Sequence, residues 1–296
     1  MLKKLLKTQV KKQEKMLEKW LAKRELEHAF PSDKVECISN VSYIKDSKSI
    51  HKMDIYYPKE NKEKLPVIIN IHGGGFLLGK KEVNKLFCAD LALKGFVVFC
   101  VEYPLIPDCY IFDIFNELVE AINNINEVAI NYNGDSNNLF LVGDSAGAYL
   151  AYYLSAFKNN EKIRKSFNVN EIIPSIKAIG LISGMFYTTK LDQIGMFLPK
   201  FIYGKKYKKS SFYQYINPEN EELVKSISKA FLVTGKGDFL RHYSRNLVKT
   251  FDNYQIKYEF LDLVGEKSLP HAYVAMLPEL KESQIVINKM IEFFKI

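Results

Sequence analysis

Apolar and polar positions along this chain follow two different periods, and the switches between them mark its elements. Over residues 1–29, Leu2, Leu5, Leu6, Val10, Met16, Leu17, Trp20 and Leu21 recur at roughly helical spacing with Lys and Glu between them. That spacing predicts a long amphipathic helix, ended by Phe30-Pro31. Two stretches of alternating character, Val35–Lys45 and His51–Tyr57, predict an antiparallel hairpin at a sheet edge, turning through Lys45-Asp46-Ser47-Lys48-Ser49. Beyond the charged 59–64 loop the pattern changes to short unbroken apolar runs. Pro66–Ile71 and Phe96–Val101 read as strands buried on both faces, as in a parallel sheet, the apolar run from Leu139 is a further strand, and Ile176–Ser183, Ala230–Thr234 and Lys257–Leu261 are the strands that follow. Helix-forming runs at 82–94, 113–132, 146–157, 240–253 and 278–294 separate them. Strands alternating with helices predict an α/β architecture.

One segment breaks that rhythm. Met185 to about Glu222 is aromatic and basic, with Phe186, Tyr187, Phe197, Phe201, Tyr203, Tyr207, Phe212, Tyr213 and Tyr215. A connection of this length is usually functional, which predicts a lid whose aromatics line an apolar pocket.

Composition narrows the classes. The 296 residues suffice for one large α/β domain or two small ones, and 47% hydrophobic with 26% charged residues is ordinary for a globular protein. The net charge of +8 comes largely from lysines in the first 24 residues and from Lys205-Lys206-Tyr207-Lys208-Lys209. No basic face is interleaved with readout residues, so no nucleic-acid partner is expected. The lysine-rich leading helix would either lie weakly on a membrane surface through residues 1–29 or pack over the protein; Glu14, Glu18, Glu25 and Glu27 dilute its charge and favour packing. Cys37, Cys88, Cys100 and Cys109 show no paired or metal-binding spacing, which fits a reducing compartment and predicts no metal. Lysines interrupt every early apolar run before a signal sequence could form, so a cytoplasmic location is expected.

The chemistry concentrates in four loops that follow strands. Gly143-Asp144-Ser145-Ala146-Gly147 fits G-x-S-x-G between a strand and a helix, the context in which a serine sits on a strained turn with its hydroxyl exposed. His72-Gly73-Gly74-Gly75-Phe76 offers backbone amides to a developing oxyanion, and the expected donors are Gly73, Gly74 and Ala146. A serine hydroxyl needs a base, and the base needs an orienting carboxylate. Of the five histidines, His271 follows the last strand, at the sheet end where α/β folds bind ligands, and comes last in Ser…Asp…His order. His28 lies in the leading helix, His51 in an edge strand and His242 one turn after Asp238, while His72 reads as a brace for the glycine loop. Asp238 follows a strand directly and is the expected orienter, with Asp262 as runner-up; Asp144 reads as structural.

Taken together, His72–Phe76, Gly143–Gly147, the Tyr103–Asp108 loop, Asp238-Phe239-Leu240-Arg241 and His271-Ala272-Tyr273 resemble the hormone-sensitive-lipase-like branch of the α/β-hydrolases over residues 40–296. The resemblance implies a mostly parallel eight-stranded sheet with helices on both faces. It implies a helical cap built from the leading helix (residues 1–34) and the 185–222 insertion of a domain spanning 35–296. It also implies hydrolysis of small-molecule carboxylic esters through an acyl-enzyme without a cofactor. The same constellation serves an amidase or arylformamidase. A third reading is a small-molecule receptor of the same fold. Plant gibberellin receptors resemble this branch but lack the catalytic histidine, and the presence of His271 favours catalysis.

Overall fold

The apolar runs pair into one sheet. In a computed structural model that describes residues 2–44, 48–61, 63–264 and 268–295, eight strands are hydrogen-bonded side by side. They are β1 (Val35–Ser42), β2 (Lys52–Pro58), β3 (Leu65–Ile71), β4 (Val97–Val101), β5 (Gly134–Asp144), β6 (Ile176–Ile182), β7 (Lys229–Gly235) and β8 (Tyr258–Leu263). Their order is β1-β2-β4-β3-β5-β6-β7-β8. The two alternating strands pair antiparallel with each other, and β2 pairs antiparallel with β4; every pairing from β4 to β8 is parallel. The expected hairpin is therefore present, although part of its turn, Lys45–Ser47, lies outside the described residues.

The two-residue strand period divides the core between the two faces. Val67, Ile69, Ile71, Leu139 and Leu141 belong to one buried cluster, while Ile68, Phe140 and Val142 belong to the other. Helices α2 (Lys85–Leu93) and Lys281–Lys295 cover the second face. Helices α3 (Ile111–Asn123), Ala146–Asn159 and Arg241–Asn253 cover the first. The long helix expected over 113–132 is interrupted at Asn123-Asn124, then resumes as Ile125–Ala129 and a 3-10 turn. Both asparagine side chains donate to backbone carbonyls, Asn124 to Glu120 at 2.9 Å and Asn123 to Glu171 at 2.8 Å. The local Asn124 bond competes with helix continuation, while the Asn123 bond ties the break to the loop before β6.

The leading helix α1 (Leu2–Glu27) packs on the protein through one stripe: Leu6, Val10, Leu17, Leu21 and Arg24 are its more buried positions, a 3–4 residue repeat. Arg24 is buried and clamps Glu279 bidentately at 2.7 and 2.6 Å; Lys7 holds Asp108. Leu5, Met16 and Leu26 stay exposed among the outer lysines. Among the described residues no helix is long and apolar enough to cross a membrane.

Segment 185–222 folds into short helices, Gln193–Phe197, Pro199–Tyr203 and Glu221–Val224, with 3-10 turns between them. Its buried aromatics do not line a pocket as expected; they anchor the segment to helix Ala146–Asn159. Tyr203 and Tyr149 share a hydroxyl–hydroxyl bond at 2.7 Å, and Tyr153 and Tyr152 each donate at 2.7 Å to the Tyr215 and Pro218 carbonyls. A buried tyrosine hydroxyl is costly without a partner, and the segment's backbone carbonyls supply one to Tyr152 and Tyr153.

Candidate active site

β5 delivers Ser145 to the end of the sheet. The residue sits at φ 52°, ψ −112°, a positive-φ conformation that a non-glycine residue holds only under constraint. The constraint is visible: its amide donates to the Ile182 carbonyl at 2.8 Å, and its carbonyl accepts from the Met185 amide at 3.0 Å. The tightness of the turn requires glycine at position 147, where a Cβ would lie 1.9 Å from the Ile71 carbonyl oxygen. Helix Ala146–Asn159 starts at the next residue, so the Ser145 oxygen lies at a helix N-terminus, where negative charge is favoured.

His271 follows β8 in a loop that bridges back to β7 through Gly237 and Pro270. Its Nδ1 lies 2.7 Å from Asp238 Oδ1. Since a carboxylate only accepts, Nδ1 carries the proton and Nε2 is left as an acceptor. Asp238 is held on three sides: Oδ1 also accepts from the Leu240 amide at 2.8 Å, and Oδ2 accepts from the Thr234 hydroxyl at 2.8 Å. Burial pushes the Asp238 carboxyl up, but the bond and charge of His271, aided by the Leu240 amide, outweigh it and hold the carboxyl below its ordinary value. Asp262, the alternative orienter, is engaged elsewhere, 2.7 Å from Arg241 and 2.5 Å from Arg245. His242 is exposed, and His51 and His28 face Glu117 at 2.8 Å and Glu279 at 3.6 Å.

The glycine loop differs from the expectation in one residue. The Gly73 amide donates to Asp144 Oδ1 at 3.0 Å, so it is not free for a ligand and Gly73 leaves the donor set. Asn84 Nδ2 donates to the same oxygen at 2.8 Å. Asp144 thus ties the loop to the serine turn, the structural role its position suggested. Among the described residues, the Gly74 and Gly75 amides have no hydrogen-bond acceptor, and both residues face the cavity that holds Ser145 and His271. Gly74 needs its glycine: at φ 117° a Cβ would lie 1.7 Å from the Leu78 carbonyl oxygen. Ala146, as the first residue of its helix, has no intrahelical acceptor for its amide.

Behind the loop, fully buried His72 faces the Gly73 carbonyl with Nδ1 at 2.8 Å and Glu102 Oε1 with Nε2 at 3.0 Å, and it stacks on Tyr103. Both partners are acceptors, so both nitrogens donate and the ring is an imidazolium. Burial works against that charge, but the Glu102 bond and charge outweigh it and raise the His72 pKa. A group raised in the folded state stabilises fully below its unfolded value, about 6.5, and loses that contribution as pH rises through its folded value. The stability advantage of the wild type over Glu102→Gln is therefore expected to shrink as the pH rises above about 6.5 in urea unfolding. An advantage independent of pH would mean a neutral His72.

The cavity itself measures about 370 Å³. Met185, Ile194 and Leu198 of segment 185–222, Leu17 of α1 and Phe239 give it apolar walls. Ser145, Asp238, His271, Gly74 and Ala146 were legible from motif order. Asn84, Glu102 and Thr234 were not, because their partners lie 60, 30 and 4 residues away and no motif marks them.

Comparison with known proteins places the chain. The BD-FAE family pattern matches residues 53–238, more than half of its length. A probable isoprenylcysteine alpha-carbonyl methylesterase of Oryza sativa subsp. japonica is 29% identical over 45% of this chain and 32% of its own. A kynurenine formamidase of Salmo salar is 27% identical over 46% and 42%. The matched stretches thus span a third to under a half of these curated relatives. The crystal structure of esterase B from Lactobacillus rhamnosis superposes with a TM-score of 0.89 at 20% identity, covering 99% of this chain and 95% of that one, which identifies the fold as that of the α/β-hydrolases. On the family match, which joins β2, the glycine loop, the serine turn and Asp238 in one stretch, this chain belongs to the BD-FAE family.

Proposed function

We propose that the chain is a serine hydrolase that cleaves carboxylic esters of small molecules through an acyl-enzyme. The observation that carries this reading is the convergence of Ser145, on its strained turn, and the Asp238-oriented His271 on one apolar cavity beside two unpaired loop amides. Ser145 Oγ attacks the ester carbonyl while His271 Nε2 takes its proton. Asp238 holds the imidazolium that forms. The oxyanion is met by the Gly74, Gly75 and Ala146 amides, each donor contributing about 3 kcal/mol. His271 returns the proton to the leaving alcohol, and water activated by the same nitrogen releases the acid. In this reading α1 and segment 185–222 together form the cap, since both reach the cavity walls. No step calls for a metal or cofactor.

An amide or formamide substrate is the second reading, favoured by the similarity to a kynurenine formamidase. The test is incubation with an alkyl fluorophosphonate and mapping of the adduct, alongside turnover of p-nitrophenyl butanoate. Stoichiometric labelling of Ser145 with ester turnover is expected. Labelling without ester turnover shifts the assignment to N-formyl anilides, and no labelling overturns it in favour of a non-catalytic binding role.

A further inference from the structure

A second cavity of about 260 Å³ lies under the C-terminal half of α1, next to the one that holds Ser145. The two share a wall: Val83 and Met276 line both. One helix roofs both, with Leu17 over the first and Trp20, Leu21 and Arg24 over the second. Seven residues separate Leu17 from Arg24, a rise of about 10 Å along the axis. The second cavity therefore continues the first along α1.

Its lining indicates what it accepts. Trp20, Leu21, Phe30, Leu86 and Pro278 give it an apolar and aromatic part, beside five ionisable residues. The charged side chains at its edge are already paired. Arg24 is clamped by Glu279 at 2.7 and 2.6 Å, His28 faces the same carboxylate at 3.6 Å, Glu82 lies 2.5 Å from Lys81, and Lys85 Nζ lies 3.8 Å from Glu25 and 5.5 Å from the centre of the Phe30 ring. No unpaired charge on these groups calls for a polar ligand, so an alkyl chain or aryl ring fits.

The partition is attached to both halves of the chemistry. Val83 precedes Asn84, whose side chain holds Asp144 beside the serine turn. Met276 ends the short helix Tyr273–Met276, which begins two residues after His271. Methionine is unbranched, with three rotatable bonds, and can vacate the space it fills.

We infer that the two cavities form one bipartite site for an apolar arm too long for the first, and that Val83 and Met276 set the length accepted. The kinetic part of this rests on the ester-hydrolase reading; the binding part does not. Trp20, the single tryptophan, lines the second cavity and reports its occupancy directly. Sodium dodecanoate below its micelle concentration is expected to shift Trp20 emission to the blue and saturate, whereas butanoate does not. Met276→Ala is expected to tighten dodecanoate about tenfold, as two further methylenes are buried. The same variant should raise the ratio of kcat/KM for p-nitrophenyl dodecanoate over butanoate by a similar factor. An unchanged Trp20 emission with dodecanoate, or an unchanged affinity and ratio in Met276→Ala, overturns the inference. Should no ester turn over while Trp20 responds as described, the hydrolase reading fails and the bipartite site stands.

Discussion

Ser145→Ala is expected to lower kcat on p-nitrophenyl butanoate by about six orders of magnitude, the loss seen when the nucleophile of such a constellation is removed. At 1.36 kcal/mol per decade this is about 8 kcal/mol of transition-state stabilisation. The size follows from the route: without Oγ there is no acyl-enzyme, and the amides of Gly74, Gly75 and Ala146 with the bound substrate account for whatever rate remains. The fold should tolerate the change, because Ser145 is held by its backbone bonds to Ile182 and Met185, which alanine keeps. Alanine also meets the same positive φ with a smaller side chain. The decisive measurement is steady-state hydrolysis beside a thermal melt. A variant within a hundredfold of the wild type would remove Ser145 from the chemistry.

The second large effect is expected at Asp238. Asp238→Ala should lower kcat by about four orders of magnitude. His271 Nδ1 loses the carboxylate that, alone among the described residues, meets it at hydrogen-bond distance, so its tautomer is no longer fixed and its imidazolium no longer stabilised. The same substitution strips acceptors from the Leu240 amide and the Thr234 hydroxyl, both in buried surroundings. An orphaned buried donor costs about 1–3 kcal/mol, so a lower melting temperature should accompany the kinetic loss. Asp238→Asn separates the two contributions. Its side-chain oxygen can still accept from Leu240 while the charge is gone, so stability should recover more than activity. Equal recovery of both would make Asp238 a structural residue and point away from the assigned pairing. Asp262→Asn, by contrast, loosens only the Arg241 and Arg245 contacts and should leave kcat within threefold of the wild type.

Local pattern was sufficient for much of this protein. The change from two-residue alternation to unbroken apolar runs separated the antiparallel edge from the central parallel strands, because a strand covered on both faces has no polar side to show. Motif order placed Ser145, Asp238 and His271 at the ends of β5, β7 and β8, where a sheet of this kind gathers its loops. Those choices depend on residue type and sequence position, and both are written in the chain.

Tertiary structure decided the rest, and the reason in each case is a partner far away in sequence. Which loop amides are free turned on Asp144, whose carboxylate occupies the Gly73 amide across 71 residues; spacing alone put Gly73 among the donors. The aromatics of segment 185–222 looked like pocket walls because aromatic composition is the same in a pocket and in a core. The Tyr203 hydroxyl meets Tyr149, and the Tyr152 and Tyr153 hydroxyls reach the Pro218 and Tyr215 carbonyls, only once the segment lies on the helix Ala146–Asn159. The inward face of α1 was legible as a stripe, but that it roofs two adjoining cavities depends on Val83 and Met276 arriving from elements nearly 200 residues apart. Periodicity specifies which side of an element is apolar; only packing specifies what that side encloses.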